Sequence, residues 1–295
     1  MKVAAVVVTY NRKTLLQENI EHLLNQSKKE ILDIIIIDNA STDGTAQMLK
    51  PYIETQKIIY KNTGANLGGA GGFQYGIRYA AENNYDFVWV MDDDCMPKTN
   101  TLEEFLKADE KLNHQYGFLS SKVLWKDGSI CTMNVQRQTV FKNVNDFSSL
   151  VVPIAMASFV SLFIPVSIVK EVGLPIKEFF IWTDDWEYTR RISRKYKCYL
   201  VNNSVVIHKS KSNIGANISN DSPERLNRYD YLYRNDVVLY RREGIKGLLY
   251  ELIRLSWHTL KVILQSKNNK FARASKIWCG TLKGLTFNPK VEKIK

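Results

Sequence analysis

Val3–Val8 is an unbroken, largely β-branched apolar run, the pattern of a strand covered on both faces. Leu15, Leu16, Ile20, Leu23 and Leu24 then recur at helical spacing, and Ile31–Ile37 is a second buried run closed by Asp38-Asn39. The alternation continues with a helix over Thr45–Ile53, a weaker strand over Lys57–Tyr60, a glycine-started helix over Gly68–Ala81 and a strand over Phe87–Met91 that ends in acid. This βαβαβαβ order predicts an α/β fold with a mostly parallel sheet and right-handed crossovers. After a helix over Leu102–Leu112 the pattern is irregular to about Pro153. A buried strand over Ala155–Pro165 follows, then an acidic centre opening a helix within Pro175–Arg194, and a last strand over Tyr199–Ile207 closed by His208. Lys209–Glu224, rich in Ser, Asn and Gly, predicts a loop, and from Leu226 the pattern is helical. The expected division is a catalytic domain over 1–220 and a basic, amphipathic helical region over 221–295.

Ligands of open α/β sheets bind beyond the carboxyl ends of the strands. Four successive strand ends deliver polar residues to that edge: Thr9-Tyr10-Asn11-Arg12, Asp38 to Thr45, Asn62 to Gly72, and Asp92-Asp93-Asp94. Three adjacent carboxylates repel one another, so the triplet calls for a cation. Alternation along a strand end puts Asp92 and Asp94 on one side. Oxygen ligands suit Mg²⁺ or Mn²⁺, and His208 at another strand end would favour Mn²⁺. A solvated turn and a structural histidine are the plainer alternatives.

Asp184, Asp185 and Glu187 form the second acidic centre. Burial and like charge there would raise one pKa and supply a general base, while helix capping explains the same residues without chemistry. Asp38 suits a base or ribose contact, or simply a turn. Arg12 suits a phosphate, or simply solvent. Four glycines among Gly68–Gly72 open a helix at a cost of about 1 kcal/mol each relative to alanine, which close ligand approach or tight packing must offset. The run matches neither a P-loop nor a dinucleotide fingerprint, which disfavours kinases and dehydrogenases.

Charge adds a partner to this picture. The net charge of +11 is concentrated at the C-terminus, where Arg241–Lys295 holds 13 Lys and Arg against 3 Asp and Glu. Within Ile245–Leu264, Ile245, Leu248, Leu249, Leu252, Leu260 and Ile263 recur near helical spacing, with Lys246, Arg254 and Lys261 interleaved and Trp257 suited to an interface. That pattern predicts a helix lying on an anionic membrane surface, with packing against the domain or a second subunit as the alternative. No apolar run reaches the ~18–20 residues of a spanning helix, and the N-terminus reads as a strand rather than a signal peptide. The four cysteines form no CxxC pair, in keeping with a reducing compartment. The expected location is therefore the cytoplasm, peripheral on the inner face of the cytoplasmic membrane.

Together Val7-Val8-Thr9-Tyr10-Asn11-Arg12, Asp38-Asn39-Ala40-Ser41-Thr42-Asp43-Gly44-Thr45, Asp92-Asp93-Asp94 and Asp184-Asp185-Trp186-Glu187 resemble the inverting family 2 glycosyltransferases of GT-A fold. Asn66 with Gly69-Ala70-Gly71-Gly72-Phe73, Phe179 to Asp185, and Tyr233-Arg234-Asn235 look most like bacterial galactofuranosyltransferases. The resemblance implies a Rossmann-like sheet flanked by helices. It also implies metal-dependent transfer of galactofuranose from UDP-galactofuranose to an acceptor hydroxyl, and the amphipathic C-terminal helices point to a lipid-linked cell-surface glycan as the acceptor. By the same resemblance Thr9 and Asp38 hold uridine, Asn66 and Gly69 pack near the donor, and Asp92 and Asp93 face ribose and diphosphate. Asp92, Asp94 and His208 would ligate Mn²⁺ or Mg²⁺. Asp185 would be the base, Asp184 and Glu187 would orient the acceptor, and Trp182 would line the sugar pocket.

Three other readings compete. A rhamnosyltransferase using dTDP-rhamnose shares part of these motifs. A pyrophosphorylase-like transferase would need a Gly-rich, Lys-bearing loop after the first strand, which Thr9-Tyr10-Asn11-Arg12 does not supply. A non-catalytic nucleotide-sugar or nucleic-acid binding protein leaves both acidic centres unexplained, since acid repels a phosphate backbone. Nucleic acid is therefore not an expected partner, and oligomerisation stays open.

Overall fold

The computed structural model describes residues 1–294. Its strands are β1 (Val3–Thr9), β2 (Leu32–Asp38), β3 (Ile59–Asn62), β4 (Phe87–Asp92), β5 (Cys95–Pro97), β6 (Leu119–Trp125), β7 (Arg137–Thr139), β8 (Lys142–Asn143), β9 (Val151–Ile154), β10 (Leu162–Pro165) and β11 (Cys198–His208). The helices are α1 (Lys13–Leu24), α2 (Thr45–Glu54), α3 (Gly68–Glu82), α4 (Thr101–Lys111), α5 (Val166–Val172), α6 (Asp184–Ser193), α7 (Arg228–Arg241), α8 (Gly244–Gln265) and α9 (Lys270–Thr286).

The main sheet runs β3-β2-β1-β4-β10-β6-β11-β5, with β9 also paired to β11. β1 is parallel to β2 and β4, and β11 is parallel to β6. β10 is antiparallel to β4 and β6, and β5 and β9 are antiparallel to β11. Every residue of β1 is buried. Its alternate residues serve two cores, with Ala4, Val6 and Val8 against α3 and α5 and Val3, Ala5 and Val7 against α1, α2 and α4. This two-sided burial is why β1 reads as an unbroken apolar run.

Two stretches depart from the sequence expectation. The strand expected over Ala155–Pro165 is confined to Leu162–Pro165, because Ser161 turns the chain with φ +69°. The stretch read as irregular contains β6, which carries Ser120 and Ser121 in the sheet interior. Ser121 bonds the hydroxyls of Ser161 at 2.7 Å and Ser204 at 2.8 Å, and Gln136 donates to Ser120 at 2.9 Å. A strand whose buried polar groups satisfy one another does not show as an apolar run.

The last three helices form a cap around α7. Gly280 and Gly284 of α9 sit against it so closely that a Cβ would come within 2.9 Å of Tyr233 and 2.7 Å of the Arg234 carbonyl, respectively. Facing outward, α8 exposes Ile245, Leu248, Leu249, Leu252, Ile253, Trp257, Leu260 and Ile263, and α9 adds Phe271, Trp278, Leu282 and Leu285. Arg254, expected among these outward residues, instead points inward and pairs with Asp236 at 2.7 Å and Glu251 at 2.8 Å. No helix among the described residues is long and apolar enough to cross a membrane.

Candidate active site

Sheet register aligns the polar strand ends. Thr9 pairs with Asp38, Val8 with Asp92, and Asp38 with Asn62, so four carboxyl ends finish side by side. The chain leaves β4 at Asp92, turns through Asp93-Asp94 and returns as β5 beside β11, where Cys95 pairs with His208. This reversal, rather than alternation along one strand, is what brings Asp94 to His208. Asp92, Asp94 and His208 each place a ligand atom within 4.8 Å of the others. Two carboxylate oxygens and one imidazole nitrogen make a donor set fit for Mn²⁺ or Mg²⁺.

The electrostatics of the cluster agree with that fit. Burial and the neighbouring Asp94 push Asp92 up to about 6. Burial would raise Asp94 too, but its hydrogen bond to His208 and the charges of His208 and Arg12 bring it below the usual carboxylate range. Burial would lower His208, yet the 3.0 Å contact of its Nε2 with Asp94, a Cys131 contact and the acidic neighbours raise it to about 10. A site that draws a proton onto His208 in this way offers the same negative field to a cation.

Thr9 and Asp93 are tied to each other, the Thr9 hydroxyl donating to Asp93 at 2.8 Å. Burial, only partly offset by Arg12, raises Asp93 to about 8. Arg12 pairs with Asp94 and lies 3.5 Å from Asp93, so a phosphate contact by Arg12 competes with this pairing. Asp38 is fully buried and accepts from the Ser41 amide and the Tyr60 hydroxyl, both at 2.8 Å. Asn66 accepts from the Gly68 amide at 2.9 Å and so shapes the start of α3.

The glycines there divide by role. Gly68 has φ +70°, and a Cβ on it would lie 2.1 Å from the Phe180 carbonyl oxygen, while one on Gly72 would lie 2.5 Å from Val8. Tight packing accounts for both. Gly69 has open space at its Cβ.

The second acidic centre sits on the first turn of α6 and faces the first. Asp92 is among the charges that raise both Asp184 and Asp185. Burial is the larger cause for each, bringing Asp184 to about 7 and Asp185 well above the ordinary carboxylate range. Asp185 accepts from the Trp186 amide at 2.7 Å. Glu187 is spoken for by Arg191 at 2.9 Å and by Arg242, so an acceptor hydroxyl would compete with two guanidinium groups. Trp182 meets the Tyr229 ring edge-on at 5.1 Å.

Sequence reasoning missed several neighbours. Asn134 accepts from His208 Nδ1 at 2.7 Å, and nothing near Asn134 in the sequence marks it. Arg228, at the start of α7, is lowered by burial and by the converging charges of Arg225 and Arg12. Convergent cations beside an acidic cluster suit a diphosphate, and the sequence shows Arg228 only as one basic residue among many.

A mostly parallel sheet flanked by helices, with two acidic centres at its carboxyl edge, has the GT-A glycosyltransferase fold. Residues 4–122 match the model for Glycosyl transferase family 2, and the chain is a glycosyltransferase carrying that domain. It is 26% identical over 276 residues to galactofuranosyltransferase GlfT1 of Mycolicibacterium smegmatis, spanning 88% of this chain and 89% of the relative. S. aureus TarS 1–349 in complex with UDP superposes with a TM-score of 0.57 at 12% identity, over 94% of this chain and 70% of that one. The mannosyltransferase PcManGT from Pyrobaculum calidifontis in complex with GDP-Man and Mn²⁺ gives 0.56 at 17% identity, over 97% and 72%. These two likenesses establish the fold.

Proposed function

We propose that this chain transfers galactofuranose from UDP-galactofuranose to a hydroxyl of a lipid-linked cell-surface glycan, with inversion at the anomeric carbon. The observation that carries the reading is the meeting of Asp92, Asp94 and His208 with Asp184 and Asp185 at one sheet edge. The similarity to GlfT1 over most of both chains supports the choice of donor.

Asp185 takes the proton from the acceptor hydroxyl, and Asp184 holds that hydroxyl in place. The acceptor oxygen bonds to the anomeric carbon as the bond to the diphosphate oxygen breaks on the opposite face, its electrons leaving with UDP. Asp92, Asp94 and His208 would hold Mn²⁺ or Mg²⁺, which would supply positive charge against the departing diphosphate. Arg12 and Arg228 add to that charge once Arg12 turns from Asp94. Asp38, Asn66 and Gly69 lie on the uridine and sugar side, and Trp182 borders the sugar. Fixing both sugars supplies much of the remaining acceleration. The loop 209–224 closes over the donor and limits hydrolysis. Within the loop, Asn213 accepts from the Thr132 amide at 2.7 Å and the Ile218 carbonyl accepts from Arg273 at 2.6 Å. The outward faces of α8 and α9 rest on the anionic inner leaflet, where a lipid-linked acceptor resides.

Turnover across a panel of nucleotide sugars, with and without Mn²⁺, tests the reading. UDP-galactofuranose leads if it holds; a lead by dTDP-rhamnose overturns the donor. Full turnover by Asp94→Ala or in EDTA overturns the metal role.

A further inference from the structure

The residues that run into the acidic centre hold a conformation that their side chains disfavour. Phe180, Trp182 and Thr183 have φ of +64°, +65° and +68°, and none is Gly, Asn or Asp. Left-handed backbone at such residues persists only where the surroundings impose it, and it concentrates at functional sites.

Three consecutive residues of α7 impose it. Arg234 donates to the Glu178 carbonyl at 2.6 Å. Asn235, fully buried, directs its amide nitrogen at the carbonyls of Phe179, Ile181 and Trp182, at 3.0, 3.2 and 2.9 Å. Asp236 accepts the Thr183 hydroxyl at 2.6 Å. Asp236 is itself fixed by Arg254 of α8 at 2.7 Å, and Arg254 is fixed by Glu251 at 2.8 Å. On the opposite side, the Phe180 carbonyl accepts from the Ala70 amide at 3.2 Å, against the glycine start of α3. The segment is thus gripped between the element bordering the donor side and the first helix of the basic C-terminal region.

We infer that Asn235 and Asp236 are positioning residues for glycosyl transfer: they hold Phe180, Trp182 and Thr183 in the positive-φ conformations that aim Asp184 and Asp185 into the site. The inference rests on the proposed role of Asp185 as base. It makes α7 part of the catalytic apparatus, and it places the α8 residue Arg254, which lies behind the outward apolar face, one contact away from the clamp.

The test uses the full-length chain with Asn235→Ala, Thr183→Val and Thr183→Ser. Three quantities are measured: kcat for transfer, the Kd for UDP with Mn²⁺ by calorimetry, and amide exchange over residues 180–187. Misaiming the base lowers kcat by on the order of 100-fold in Asn235→Ala and Thr183→Val. UDP affinity stays within about threefold, because the metal side is untouched. Exchange over 180–187 accelerates at least about tenfold as the local structure loosens. Thr183→Ser keeps the hydroxyl and regains most of the lost kcat. Thr183→Val is nearly isosteric, so it remains informative if Asn235→Ala does not fold. Wild-type exchange and kcat in Thr183→Val overturn the clamp, as does a loss of UDP affinity equal to the loss of kcat. If the wild-type chain turns over no sugar nucleotide, the functional reading fails, and the exchange data still decide whether the clamp exists.

Discussion

His208 donates from Nδ1 to the side-chain oxygen of Asn134 at 2.7 Å, which leaves Nε2 directed at Asp94, 3.0 Å away. The bond fixes both the ring orientation and the proton on Nδ1, so Nε2 is the nitrogen available to a metal once its own proton leaves. Partners of this kind sustain metal affinity about 10–100-fold. Asn134→Leu should weaken Mn²⁺ by that factor, read from the Mn²⁺ dependence of turnover, with kcat recovering at saturating metal. An unchanged Mn²⁺ dependence would show that Asn134 does not orient the ligand.

The paired carboxylates on α6 set the acid limb of activity. Burial raises both, with the charges of Asp92 and Glu187 adding to Asp184, which reaches about 7, and those of Asp184 and Asp92 adding to Asp185. A base works ionised, so kcat should fall on the acid side at a pH well above the ordinary carboxylate range. Asp184→Asn removes the like charge beside Asp185 and should move that limb to lower pH by about 1 unit. Asp185→Asn should cost on the order of 10²–10⁴ in kcat with UDP affinity retained. A limb that moves upward in Asp184→Asn would contradict the pairing.

His258 carries a separate pH dependence, in stability. It accepts the Tyr233 hydroxyl at Nδ1, 2.9 Å away, and burial with the charges of Arg254 and Lys261 holds it down at about 4. Its pKa in the unfolded chain is ~6.5, so below that pH the unfolded state takes up the proton first. The stability it contributes is complete above ~6.5 and is lost as pH falls toward 4. Its partial exposure reduces the effect to about 1–2 kcal/mol between pH 7 and pH 4.5. Urea unfolding at the two pH values should show a loss larger by that amount in the wild type than in His258→Gln. Equal losses would place the pH sensitivity elsewhere.

The α/β order of the first 92 residues was legible because β1, β2 and β4 bury both faces and so carry little but apolar residues. The acidic triplet was legible because it ends such a strand, and His208 because it closes the apolar Val205–Ile207 run. What escaped detection is polar and distant in sequence. β6 hides its buried serines in a hydrogen-bond network, and Asn134 reaches His208 across 74 positions. The Asn235 and Asp236 contacts span 53 to 56 positions, and no local periodicity encodes a side chain bonding remote backbone carbonyls. Arg254 shows the converse error: helical spacing placed it among the outward basic residues, but the buried Asp236 and Glu251 draw it inward.

The outward face of α8 and α9 makes the last prediction. Ile245 is 77% exposed, Ile253 69%, Leu264 71% and Phe271 88%, values that leave whole apolar side chains in contact with water. Lys246, Lys267, Lys270 and Lys283 are exposed on the same two helices or the turn joining them. A second copy docking face to face would bring two strongly basic surfaces together, whereas an anionic bilayer satisfies both the charge and the apolar area. The chain should therefore sediment with vesicles containing phosphatidylserine and remain in solution with pure phosphatidylcholine. Each basic residue near the surface contributes about 1 kcal/mol that salt screens, so binding should weaken in concentrated NaCl without vanishing, because the apolar contacts persist. Ile253→Glu introduces a charge at the centre of the face and should reduce vesicle binding by about tenfold or more, with UDP affinity unchanged. Wild-type chain left in the supernatant with anionic vesicles, or a concentration-dependent dimer that Ile253→Glu converts to monomer, would assign the face to a second subunit instead.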